Sequence, residues 1–169
     1  ERFLTFARPA SADRRPLDLR EVVGRFVSLV ETQARKEGVE TVAHPYLGED
    51  PPIVPGDADQ LTQLLLNIAI NGVQAMTPLG GGTLAFFLDR ERQGGKRIFV
   101  VRVANSGPPV PEDQLERIFD PFFTTKDGGT GLGLSIGSRI ADQHDGVLSV
   151  RNLPAGRGVE FSLALPAGG

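Results

Sequence analysis

The stretch Lys126-Asp127-Gly128-Gly129-Thr130-Gly131-Leu132-Gly133-Leu134-Ser135-Ile136 closes a long irregular segment and runs straight into a helical pattern. Glycines at 128, 129, 131 and 133 let the backbone approach a ligand closely and take up positive φ. A glycine-rich turn feeding a helix N-terminus offers unpaired N–H groups to an anion, most often phosphate. The stretch lacks the Lys that follows the glycines of a P-loop, and it lacks G-x-G-x-x-G spacing after a strand, so a Rossmann site is not supported. G-x-G-x-G opening a helix is then a phosphate cradle with several owners, and the flanking sequence has to decide among them.

Working outward, residues 132–145 read as a helix. Strands over 146–151 and 159–165 follow, closing as a hairpin around Pro154-Ala155-Gly156. Upstream lie an irregular segment (119–131), a short helix (112–118) and a loop (105–111). Strands over 83–89 and 97–104 flank a turn at Gly94-Gly95. A helix over 58–76 is capped by Asp57, with Gln60 three positions on, and ends at Thr77-Pro78-Leu79-Gly80. An earlier helix starts at Asp18, with Glu21 at capping-box spacing. Leu19, Val22, Val23, Phe26 and Val30 share one face, and Gly38 is the C′ residue. Between these helices come a short strand (40–43) and a proline-rich loop (44–55) with a brief strand at Ile53-Val54. Residues 1–8 read as the last turns of a helix stopped by Pro9, and 10–16 as a linker. This irregular interleaving predicts an α/β fold, a two-layer sandwich with helices on one face of a mixed sheet.

The chain has 169 residues, 40% hydrophobic and 23% charged, enough for one domain with a core and too apolar for disorder. A net charge of −3 argues against nucleic acid as a general partner. Without cysteine there is no disulfide or thiolate metal site, in keeping with a cytoplasmic domain. No apolar run approaches the ~20 residues of a membrane-spanning helix, and no secretory signal is visible. The chain opens mid-pattern at Glu1-Arg2-Phe3-Leu4. It is read as a fragment of a longer protein, so the missing span leaves both a membrane-anchored and an unanchored parent open.

Three further segments carry chemistry. The helix over 58–76 is apolar nearly all round, yet Gln63, Asn67, Asn71 and Gln74 fall on one stripe. Buried amides need partners. A single Asn reads as an ordinary satisfied amide; the stripe together with the glycine run reads as a ligand site, whose amide oxygens suit Mg²⁺ on a nucleotide. Asn105-Ser106-Gly107-Pro108-Pro109-Val110-Pro111 follows a strand, where it is either a plain turn or a place for a side chain that reads a base. Phe119, Phe122 and Phe123 precede the glycine run as core residues or as anchors of a lid, with Lys126 free to reach a phosphate.

In this order the segments resemble the catalytic ATP-binding domain of sensor histidine kinases, part of the Bergerat-fold (GHKL) ATPase superfamily that includes gyrase and heat-shock chaperones. Asn67-Ile68-Ala69-Ile70-Asn71-Gly72-Val73-Gln74-Ala75-Met76 resembles the N box. Asn105-Ser106-Gly107-Pro108-Pro109 resembles the first glycine box, Ile118-Phe119-Asp120-Pro121-Phe122-Phe123 the F box, and Gly129-Thr130-Gly131-Leu132-Gly133-Leu134 the second glycine box. The likeness extends over about residues 17–166. It implies a mostly antiparallel mixed sheet with an ATP lid, and a division into the end of a dimerisation helix with linker (1–16) and an ATP-binding domain (17–169).

The resemblance implies that Asn71 coordinates Mg²⁺ bridging the ATP phosphates and that Asn67 supports the metal site. Hydrolysing relatives carry at that position a Glu that activates water. An amide cannot do so, which implies transfer of the γ-phosphate rather than hydrolysis. Gly107 would let adenine approach the backbone, with Asn105, Val110 and Gln74 also in the ATP site. Residues 119–130, including Phe119 and Lys126, would form the lid, and Thr130, Gly131, Leu132 and Gly133 would cradle phosphates. Asn105 stands where the family usually has Asp, which implies a weaker, neutral acceptor for the adenine amino group. Pro109 replaces a common glycine, and Gln74 a common Lys or Arg. The phospho-acceptor His is absent: His44 precedes a proline in a loop, and His144 is read as structural. The implied partners are a His-bearing dimerisation domain of the same protein and a response-regulator receiver domain, with this fragment a monomer and the parent a homodimer. The alternatives are a degenerate module that signals without phosphotransfer, and an ATP hydrolase.

Overall fold

A computed structural model describes residues 13–121, 123 and 133–168. The expected helix over 1–8 lies outside this range, and so does most of the glycine run, including Lys126, Thr130, Gly131 and Leu132.

Among these residues seven strands and three α-helices follow the order β1 (Arg15–Asp18), α1 (Leu19–Lys36), β2 (Val39–Ala43), β3 (Ile53–Gly56), α2 (Ala58–Met76), β4 (Gly82–Gln93), β5 (Lys96–Asn105), α3 (Gly133–Gln143), β6 (Val147–Asn152) and β7 (Val159–Pro166). The main sheet runs β2-β4-β5-β7-β6. Its β2–β4 pair is parallel and the other pairs are antiparallel. A small second sheet joins β1 to β3 in antiparallel register. The helices pack on one face of the main sheet, as expected from sequence, in the arrangement of a two-layer sandwich.

The core follows from the two periodicities. Leu19, Val22, Phe26 and Val30 of α1, and Leu61, Leu64, Leu65 and Ile68 of α2, meet the inward alternates Leu84, Phe86 and Leu88 of β4, Phe99, Val101 and Val103 of β5, and Phe161, Leu163 and Leu165 of β7. Phe26 and Phe86 cross edge to face at 5.0 Å. On the opposite sheet face Arg102 bridges strands, donating to Asp89 at 3.1 Å and Glu91 at 2.6 Å. Burial works against its charge, but these acidic neighbours and Glu160 raise its pKa above the usual guanidinium value.

Three expectations need correction. Residues 15 and 16, read as linker, open β1: Pro16 has no N–H to offer a ladder, and a two-stranded edge tolerates that. The helix expected over 112–118 is only one 3₁₀ turn at Glu112–Gln114. Its continuation is a run of i−3 bonds (Arg117 N–H to Gln114, Asp120 N–H to Arg117), because so short a segment closes too few i−4 bonds to hold an α-helix. The central hairpin is longer than read, since its ladder continues through Arg90, Glu91 and Arg92 paired with Phe99, Ile98 and Arg97.

Candidate functional site

Helix α2 organises the site. Asp57 caps it, accepting from Asp59 N–H at 3.1 Å and Gln60 N–H at 3.2 Å. Along the polar stripe Asn67 is buried, Gln63 and Asn71 are half-buried and Gln74 is exposed. The buried amide has found its partner: Asn67 Nδ2 donates to the carbonyl of Gly133 at 3.0 Å, at the first turn of α3. Asn67 therefore anchors the first described turn of α3 to α2.

The other end of α3 is tied to the start of α2. His144, 1% exposed, accepts at Nε2 from Asp57 N–H at 2.9 Å, while its Nδ1 donates to Ile140 O at 2.8 Å. Both ring nitrogens are used, so the histidine is structural, as read from sequence. Ties at Asp57–His144 and Asn67–Gly133 set α3 antiparallel along the first three turns of α2, each spanning about 15 Å. Burial raises the Asp57 pKa, but backbone N–H donors from Asp13, Gln60 and Asp59, and the nearby His144, lower it further, for a net value below the usual carboxylate range.

The loop after β5 lies against the far half of α2. Asn105 is buried, and an added Cβ on Gly72 of α2 would meet its Cβ and Nδ2 at 3.2 Å. Its Oδ1 accepts from Gly107 N–H at 2.9 Å, closing an Asx turn. That oxygen keeps a second lone pair for another donor. Gly107 is buried beside Ala75 and Met76, whose nearest atoms would stand 3.4 Å from an added Cβ. Ser106 locks the loop to β4, accepting from Thr83 N–H at 2.9 Å and donating its own N–H to Thr83 O at 3.1 Å. Val110 is held by Asn152, a residue the sequence reading did not single out. Phe119 packs edge to face on core Phe161 at 6.2 Å, and Arg117 lies 4.9 Å over the Phe123 ring.

Along α2 the structure thus sets Gly133 against Asn67, Asn105 against Gly72 and Gly107 against Ala75 and Met76, with Asn71 on the helix between these contacts and Val110 and Phe119 on the segment after β5. Among the described residues there is no cluster of three His, Asp or Glu fit to hold a metal. An ion here would rely on amide oxygen and ligand phosphates, a donor set of hard oxygens that suits Mg²⁺.

Residues 56–169 match the family described as histidine kinase-, DNA gyrase B-, and HSP90-like ATPase. The chain belongs to this ATPase family. This ATPase domain is 35% identical over 168 residues to the sensor histidine kinase ZraS of Klebsiella oxytoca, covering 98% of the chain and 34% of ZraS, so it spans about a third of that relative's length. Its fold matches the catalytic domain of histidine kinase ThkA, at 32% identity and TM-score 0.77, over 92% of this chain and 96% of that one. It also matches ThkA in complex with response regulator protein TrrA, at 30% identity and TM-score 0.76, over 98% of this chain and 45% of that one. Full-length ShkA in complex with AMPPNP aligns over 99% of this chain and 35% of ShkA, at 29% identity and TM-score 0.80. These relatives are named as histidine kinases, and the part of ThkA that matches is that kinase's catalytic domain. No helix among its described residues is long and apolar enough to cross a membrane.

Proposed function

We propose that this domain binds Mg-ATP and transfers the γ-phosphate to a histidine on a separate dimerisation domain, from which it passes to a response-regulator receiver. The observation that carries the reading is the Asn67–Gly133 bond, which joins the amide-bearing helix to the exit of the glycine run. It sets the amide stripe against the last glycine of the run, 66 residues away in sequence, which supports reading the two segments as one cradle.

In this reading Asn71 would hold Mg²⁺ with its amide oxygen, and the bound ion would supply neutralisation of phosphate charge. The phosphates fall to Thr130, Gly131, Leu132 and Gly133, of which Gly133 opens α3, and the dipole at a helix N-terminus favours an anion. Lys126 meets a phosphate, Gln74 stands at the rim, and Asn105 with Gly107 faces the base. Asn67 is spent as a donor to a carbonyl and is no base, which disfavours hydrolysis. Catalysis is then positioning and charge stabilisation. ShkA crystallised with AMPPNP and ThkA with TrrA support the nucleotide and the receiver as partners. The domain boundary near residue 17 and a dimeric parent belong to the same proposal.

The test mixes this domain with Mg-ATP and a separately made His-bearing helical domain. Phosphohistidine on the acceptor is expected, and Asn71→Ala should abolish Mg-dependent nucleotide binding in calorimetry. Nucleotide binding with no phosphohistidine would favour a module that signals by conformation alone. Phosphate release without acceptor would favour a hydrolase.

A further inference from the structure

The loop over residues 105–111 has little backbone hydrogen-bonding capacity. Pro108, Pro109 and Pro111 have no N–H, so Val110 carries the one backbone donor in Pro108-Pro109-Val110-Pro111. Earlier in the loop Ser106 N–H goes to Thr83 O and Gly107 N–H to Asn105 Oδ1. Whatever accepts from Val110 therefore decides where the outer half of the loop sits.

That acceptor is Asn152. Its Oδ1 accepts from Val110 N–H at 2.8 Å and its Nδ2 donates to Val110 O at 2.7 Å. The carboxamide pairs with Val110 as a neighbouring strand residue would. The sheet sets its position: Asn152 is the last residue of β6 and lies opposite Val159, which lies opposite Asn105. One transverse row across three strands thus ends at Asn105, inside the site, and at Asn152, which grips the same loop five residues later. The spacing between these two grips is fixed by β-ladder geometry, and the prolines between them restrict φ.

We propose that Asn152 is a positioning residue for nucleotide binding: by holding Val110 through both backbone groups it fixes the base-side loop, and with it Asn105 and Gly107, without touching the ligand. The proposal rests on the reading of this loop as the base side of an ATP site. A loop held at both ends loses no further conformational freedom when a base docks, so affinity and base discrimination both depend on the clamp. A smaller or singly bonding side chain would leave the Val110 N–H or carbonyl to water.

The test titrates the chain with ADP and with GDP, each with Mg²⁺, in calorimetry, using wild type, Asn152→Ala and Asn152→Asp. Asp keeps the shape and the acceptor but cannot donate to Val110 O when ionised, so it remains informative if the Ala variant does not fold. Each variant is expected to weaken ADP binding about tenfold, the scale of one well-placed hydrogen-bonded pair, and to shrink the ADP-over-GDP preference. A merely structural role would lower the melting temperature and leave that preference intact. Unchanged ADP affinity, or equal losses for ADP and GDP, would overturn the proposal and leave the ATP-site reading standing. Failure of wild type to bind either nucleotide would instead overturn the ATP-site reading.

Discussion

At the scale of single residues the site is built by close approach. Gly72 lies mid-helix, where glycine costs about 1 kcal/mol against alanine, and its missing Cβ leaves room for Asn105. An added methyl would meet the Asn105 side chain and Leu84 Cδ1 at 3.2 Å, so the neighbours must shift by a few tenths of an ångström. In Gly72→Ala the gain in helix propensity offsets this crowding. Urea unfolding should move by less than about 1 kcal/mol, while nucleotide affinity falls several-fold because Asn105 is pushed off its seat. A stable variant with intact affinity would show that the Asn105 position does not matter to binding. Asn67 shows the limit of reading residues one at a time. Its place on the polar stripe was legible from spacing, but its partner was not, because the Gly133 carbonyl comes near only once α3 lies antiparallel to α2.

At the scale of elements, α2 was the most legible piece, and its bounds match the structure at both ends. An Asp cap at one end and Thr-Pro at the other are local signals that need no tertiary information. Strand β1 was missed because Arg-Arg-Pro-Leu has the composition of a linker; it becomes a strand through its pairing with Ile53–Gly56. Asn152 was missed for the same kind of reason: the lone donor in a proline run signals that an acceptor is required, but not which strand brings it.

The α2 cap also sets an acid limit on stability. The Asp57 pKa is lowered in the folded chain, so its contribution is present above the unfolded value and is lost as pH falls through the folded one. Asp57→Asn keeps an accepting oxygen for Asp59 and Gln60 but gives up the Asp13 N–H bond to Oδ2, now 3.0 Å. The variant should be less stable than wild type by about 1 kcal/mol at pH 7. The difference should begin to shrink below about pH 4, where the unfolded chain's carboxylate takes up a proton, and should be lost as pH falls on through the lowered folded value. Urea unfolding from pH 7 to pH 3 measures it, and a difference independent of pH would exclude the carboxylate charge as its source.

For the whole molecule, segments far apart in the chain converge on α2: the start of α3 at its Asn67, and the loop after β5 at its Gly72, Ala75 and Met76. The sandwich itself was legible from the interleaving of elements. The sheet order was not, since β6 and β7 reach β5 only by a long-range pairing that no local pattern encodes. That topology has a kinetic consequence. The β4–β5 hairpin, closed at Gly94-Gly95, is local and can form early. The row linking Asn105 to Val159 and Asn152 closes only after β7 has docked across more than 50 intervening residues. If the folding barrier is crossed before that docking, the transition state holds no complete nucleotide site for a ligand to grip. Saturating Mg-nucleotide should therefore slow unfolding in proportion to its binding and leave the refolding rate unchanged, as stopped-flow chevrons would record. In such a chain nucleotide acts as a brake on unfolding, extending the lifetime of the assembled domain without hastening its birth.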